Sequence, residues 1–172
     1  MEIKVKIRSS LAFLASAFVL LFLFFGEAQA QSTAYKTLLK GLYEEEFPTV
    51  KPDQIFNLEN YQVLDTREKA EFEVSHLQGA NWVGYDTFSL EKVKGLDKNQ
   101  PVLVYCTVGA RSQDIGKKLR KAGFKQVYNL YGGIIQWSNE SQPLFKDSLP
   151  TKQVHTYNRA WGVWLTSGEK VY

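Results

Sequence analysis

The chain has 172 residues, of which 44% are hydrophobic and 23% charged, the proportions of an ordinary globular protein and not of a disordered or fibrous one. Its formal net charge is only +3 and no long basic run occurs, so charge gives no support to a nucleic-acid partner. The single cysteine, Cys106, rules out an internal disulfide.

Residues 1–30 have the layout of a secretory signal peptide. Lys4, Lys6 and Arg8 form a basic start, Leu11 to Phe25 is an uncharged apolar run, and Ala28-Gln29-Ala30 is a small-x-small cut site. The run is shorter than the roughly 20 residues that usually span a bilayer. The expectation is an exported, periplasmic protein beginning at Gln31, with no stable membrane span after cleavage. The alternative is an uncleaved N-terminal anchor. Exported proteins usually pair their cysteines. A lone thiol there is either a buried small hydrophobe or one that is used.

Residues 31–49 read as a linker running into a helix, with Leu38, Leu39, Leu42 and Tyr43 at helical spacing, Glu44-Glu45-Glu46 late in it and Pro48 as its stop. Pro52 to Phe56 reads as a short helix or turn. Gln62 to Asp65 is a short strand, Lys69 to Val74 a helix ending near Ser75-His76, and Ala80 to Val83 another short strand. Ser89 to Leu96 has a helical apolar pattern. Val102-Leu103-Val104-Tyr105 is the continuous apolar run of a buried parallel strand. Ser112 to Ala122 is amphipathic, with Ile115, Leu119 and Ala122 on one stripe and Gly123 as its stop. Val127 to Leu130 is a further strand, and Gly132-Gly133 leads into a helix over Ile134 to Ser138. Strands alternate with helices, which predicts an α/β domain with a mainly parallel sheet and helices on both faces. Its bounds are read as 50–142. Residues 143–172 show no clear strand–helix repeat and carry Tyr157, Trp161, Trp164 and Tyr172, as an aromatic tail folded back on the domain.

Chemistry concentrates in Tyr105-Cys106-Thr107-Val108-Gly109-Ala110-Arg111-Ser112. Cys106 ends a buried strand, and a helix starts near Arg111. Ligands of open α/β sheets bind at the carboxyl ends of strands. A short loop there turns its N–H groups inward and makes an anion nest, which the helix N-terminus reinforces. Gly109 permits the tight backbone, and Arg111 adds a planar cationic fork. Such surroundings favour a thiolate and would cradle a persulfide, a thiosulfate or a phosphate. The bland reading is a buried Cys at a strand end and an Arg that merely starts a helix.

Four stretches in this order resemble the rhodanese family: Leu64-Asp65-Thr66-Arg67-Glu68; Glu71 followed by Ser75-His76-Leu77-Gln78-Gly79-Ala80; Cys106 to Arg111; and Gly132-Gly133-Ile134 with Trp137. The resemblance covers about residues 50–141. It implies a sulfurtransferase with Cys106 as the sulfur-carrying nucleophile. Thr107 to Ser112 would bind the donor anion, while Asp65 and Arg67 brace the loop from a neighbouring strand end. Ser75 and Gln78 depart from the family's usual glycine and proline at a turn. Thr107 stands where many active members carry arginine, so one positive charge is missing. Four residues separate Cys106 from Arg111. The resemblance implies sulfur transfer for that length, against the loop one residue longer in related dual-specificity phosphatases.

The mechanism so implied has two halves: Cys106 takes the outer sulfur of a donor such as thiosulfate, then passes it to a thiol or cyanide, with a protein as a further possible acceptor. Neither a metal nor a cofactor is expected, since His76 and His155 lack ligand partners at metal spacing. A non-catalytic binding or redox-sensing module is the main alternative, and a cysteine phosphatase ranks below it.

Overall fold

Val102 to Tyr105 has no polar face to offer water, and the computed structural model covers it on both sides. The structure describes residues 33–172; contacts divide the chain into Met1–Leu38 and Leu39–Tyr172, and the second unit is the one described below. The expected signal peptide and its cut site before Gln31 lie outside the described residues. Among the described residues no helix is long and apolar enough to cross a membrane.

Five strands form the central sheet: β1 (Thr49–Val50), β2 (Gln62–Asp65), β3 (Asn81–Trp82), β4 (Val102–Tyr105) and β5 (Val127–Leu130). Their order is β1-β5-β4-β2-β3 and every pairing is parallel. Because β4 is central, it must be apolar on both faces. Val102 and Val104 enter a cluster with Leu64, Val83, Ile115, Leu119 and Val127, while Leu103 and Tyr105 are buried on the opposite side. The helices α1 (Lys69–Val74), α2 (Ala110–Lys121) and α3 (Gly133–Asn139) follow β2, β4 and β5. This is the α/β arrangement the alternation predicts, and the register puts the ends of β2 and β4 side by side, Asp65 opposite Tyr105.

Three local expectations need correction. The apolar pattern at Ser89 to Leu96 yields only a 3-10 turn, Leu90–Val93, in which Val93 alone is buried. With a single anchor and Gly95 close behind, nothing extends it into an α-helix. The helix that begins the described chain runs over 33–42, so Glu44-Glu45-Glu46 lies beyond it and not in its last turns. Three carboxylates at the negative end of a helix dipole disfavour continuation well before Pro48. The segment after Pro143 is also more regular than its sequence suggests. It holds a hairpin of β6 (Leu144–Lys146) and β7 (Leu149–Thr151), a parallel pair of β8 (Gln153–His155) and β9 (Glu169–Val171), and a short helix α4 (Arg159–Gly162). Strands of three residues are too short to show a period.

The last turn of α3 fastens this tail. Ser138 donates to the Ser167 carbonyl at 2.6 Å, and Asn139 donates to the Trp164 carbonyl at 2.8 Å while accepting from Thr166 and Ser167 N–H. Phe145 exchanges two backbone hydrogen bonds with His76, at 2.8 and 2.9 Å. Val154 and Leu165 are buried.

The core makes one stability prediction. Leu119→Ala should cost about 2–5 kcal/mol in urea unfolding, because it empties a fully buried site. Leu149→Ala, on a side chain 73% exposed, should stay within about 0.5 kcal/mol of wild type.

Candidate active site

Cys106 is the first residue after β4 and is buried. The chain then has to reverse within a few residues to enter α2. Gly109 makes this possible with φ of 102°, as the residue before the helix. A Cβ there would also collide with the Tyr43 hydroxyl. The Gly109 N–H points at Cys106 Sγ, 3.1 Å away. Its carbonyl faces the other way and accepts from Asn129 Nδ2 at 2.8 Å, Ser112 Oγ at 3.1 Å and Gln113 N–H at 3.2 Å. With the carbonyl so held, the peptide planes around Gly109 cannot swing freely.

The loop is tied from three more directions. Tyr43 donates its hydroxyl to the Val108 carbonyl at 2.6 Å and accepts the Gly132 N–H at 2.7 Å. Burial pushes its phenol far above the ordinary value, so it remains a donor. The first N–H groups of α3 hold the start of the loop: Ile134 to the Cys106 carbonyl at 2.9 Å and Ile135 to the Thr107 carbonyl at 3.2 Å. That approach requires glycine at 133, with φ of 56°, since a Cβ would strike the Cys106 carbonyl.

The third tie is Glu71, on α1. Its Oε1 accepts from Arg111 Nη2 and from the Thr107 hydroxyl, both at 2.9 Å. Its Oε2 accepts from Arg111 Nη1 at 2.9 Å and caps α1 through the Glu68 N–H at 3.0 Å. Arg111 Nη2 also donates to Thr107 Oγ1 at 2.9 Å. Burial alone would raise the Glu71 pKa. The hydrogen bond and charge of Arg111, with Arg67 beyond, hold it below the usual carboxylate range. For Arg111, burial opposes the charge, and Glu71 and Cys106 outweigh it, raising the pKa above its ordinary value. Arg111 therefore does not stand free as a cation over Cys106, as the sequence suggested; its charge is largely met by a carboxylate.

The other expected residues fall into two groups. Cys106, Thr107, Val108, Ala110 and Arg111 line one cavity of about 180 Å³, and Tyr157 and Trp161 complete its lining. Gly109 and Ser112 lie among the hydrogen bonds that support the loop. Asp65 and Arg67 do not line the cavity. They form a fully buried ion pair of 2.6 Å at the end of β2, and Arg67 also donates to the Ser75 carbonyl at 2.6 Å. Thr66 between them donates twice to the Tyr105 carbonyl, from its N–H and its hydroxyl, both at 3.0 Å. They brace the strand ends on which the loop rests. His76 takes part in a turn, with Nδ1 against the Leu77 carbonyl at 3.0 Å and its ring stacked on Phe72.

Sequence reasoning missed Glu71, Tyr43 and Asn129 as parts of the site, and Trp161 and Tyr157 as its wall. Glu71 left a readable trace, as the acid of the second resembling stretch and in the first turn of a helix where a capping box belongs, and Tyr157 and Trp161 were visible only as members of an aromatic tail.

The family model described as the rhodanese-like domain matches residues 53–140. The chain is 30% identical over 82 residues to the probable adenylyltransferase/sulfurtransferase MoeZ of Mycobacterium tuberculosis, covering 47% of this chain and 21% of that protein. It is 36% identical over 107 residues to the tRNA uridine(34) hydroxylase of Leptospira interrogans, covering 59% and 28% respectively. The chain thus spans less than a third of either relative. Among solved structures, the rhodanese-related protein of Thermoplasma volcanium superposes with a TM-score of 0.53 at 25% identity, over 59% of this chain and 100% of that one. With a family match over half its length and the sheet to go with it, this chain belongs to the rhodanese-like domain family.

Proposed function

We propose that the protein is a sulfurtransferase that works through a persulfide on Cys106. The observation that carries this reading is the Gly109 N–H aimed at Cys106 Sγ inside a loop held rigid on all sides. A donor placed in advance costs no reorganisation when negative charge gathers on sulfur. In the first half-reaction the Cys106 thiolate attacks the sulfane sulfur of a donor. In the second, an acceptor thiol or cyanide removes it. Thr107 brings no charge of its own and instead completes the Glu71–Arg111 clasp. Arg111 acts here as a positioning residue for the loop. The signal-like start supports export, with the domain working outside the cytoplasm.

Mass spectrometry after exposure to a sulfane-sulfur donor, either thiosulfate or an organic persulfide, tests the core claim. Cys106 should gain one sulfur atom, and Cys106→Ser should gain none while melting at the wild-type temperature. A Cys106→Ser protein with wild-type turnover would refute the mechanism, and a wild-type protein that never gains sulfur would favour a binding module.

The clasp should be visible in pH dependence. Because the Glu71 pKa is lowered in the fold, its contribution is present above the ordinary glutamate value of about 4.3 and is lost as pH falls through the lowered one. Glu71→Gln should lower stability by about 1–3 kcal/mol at neutral pH. The gap to wild type should close as the solution is acidified below about pH 4, read as melting temperature against pH.

Export has a separate check. The N-terminal residue of the exported protein should be Gln31; a chain still starting at Met1 would support the anchor.

A further inference from the structure

The wall of the cavity comes from outside the segment that matches the family, and its construction is unusual. Tyr157 has φ of 68°, which side chains other than glycine rarely adopt. Asn158 N–H returns to the Thr156 carbonyl at 2.8 Å, so Tyr157 is the centre of a γ-turn of the rare, strained hand. Two hydrogen bonds and the burial of its neighbour keep it there. Tyr157 N–H donates to His155 Nδ1 at 3.1 Å; Thr156 is fully buried; and the Thr156 N–H bonds the Val171 carbonyl at 3.0 Å. Asn158 then caps α4 by accepting the Trp161 N–H at 3.1 Å, which places Trp161 beside Tyr157 in the lining. Strain that neighbouring contacts hold in place marks a position the fold needs.

The charge balance inside this wall is equally specific. Three donor contacts of Arg111 go to Glu71 and Thr107, and the Tyr157 ring lies 4.9 Å from its guanidinium carbon. The cation is therefore offset by a carboxylate and faced by an aromatic ring. A dianion entering the cavity would give up its hydration for loop N–H groups and an arginine already paired with a carboxylate. A compact organic group meets Val108, Ala110, Tyr157 and Trp161, surfaces it can be buried against.

We propose that Tyr157 and Trp161 are specificity-determining residues, and that they select a small organic persulfide over an inorganic dianion such as thiosulfate. The proposal rests on the reading of Cys106 as a sulfur carrier. In the reaction, the Cys106 thiolate attacks the outer sulfur of R–S–SH. A bond forms between Cys106 Sγ and that sulfur as the donor's S–S bond breaks. The electron pair leaves on R–S⁻, and the transferred sulfur keeps its proton, giving Cys106–S–SH with no outside oxidant. The carbon next to the leaving sulfur is the group that lies against the two rings.

The test uses the full chain and two donors, cysteine persulfide and thiosulfate, with the rate of sulfur gain on Cys106 followed by mass. Wild type should load faster from cysteine persulfide, by about tenfold at equal concentration, the effect of burying about one methylene in an apolar site. The ratio of the two rates should collapse by a similar factor in Trp161→Ala and in Tyr157→Ala. Trp161→Phe should keep most of it, and Tyr157→Gly, which relieves the backbone while removing the ring, should behave as Tyr157→Ala does. A preference for thiosulfate in wild type, or an unchanged ratio in both alanine variants, overturns the proposal. If neither donor loads Cys106, sulfur transfer itself has failed, and the wall is then judged by alkylation of the thiol. Neutral iodoacetamide should outrun anionic iodoacetate, with the margin shrinking in Trp161→Ala; equal margins in the two proteins overturn the wall as well.

Discussion

The Cys106 loop depends on one buried carboxylate. Glu71 accepts four hydrogen bonds and is 2% exposed. Removing such a charge from water is costly, and only full satisfaction of its oxygens offsets the cost. The same carboxylate caps α1, fixes the Thr107 hydroxyl and orients the Arg111 fork, so three elements take their positions from it. A neutral residue in its place would leave the guanidinium to choose among the loop carbonyls and water. The geometry that aims the Gly109 N–H at sulfur would then lose one of its supports.

A second ion pair, Asp65 with Arg67, works one layer further back. It is completely buried, and it sits where β2 ends beside β4. Its task is to hold the strand end from which Cys106 projects, and it does not reach the cavity. The site is therefore less cationic than its sequence suggests. Two arginines stand close to it, and both are met by carboxylates.

Much of this was legible beforehand. Val102 to Tyr105 announces a strand buried on both faces because no residue in it is polar. Lys69 to Val74 announces a short helix, and Gly109 announces a turn that only a residue without a Cβ fits easily. What could not be read shares a physical cause. Glu71, Tyr43 and Asn129 act across long sequence separations, and their partners follow from the register of the sheet, not from local pattern. The tail hid its order because its strands are three residues long and its key backbone strain, at Tyr157, is held by the hydrogen bonds of Tyr157 to His155 and of Thr156 to Val171. Arg111 reads locally as a free charge, since its partner Glu71 lies 40 positions away.

Helix α3 is only seven residues long, about 10 Å from end to end, yet its two ends serve different masters. At its start, backbone N–H groups hold the carbonyls of Cys106 and Thr107. At its finish, Ser138 and Asn139 hold the tail that supplies Tyr157 and Trp161. The first end tolerates almost no variation, because the contacts are main chain and glycine 133 leaves no room. The second end is made of side chains, which can be exchanged. The helix is thus a joint between a loop fixed by geometry and a replaceable rim: a different tail docked on the same last turn would give the cavity a new mouth without moving Cys106.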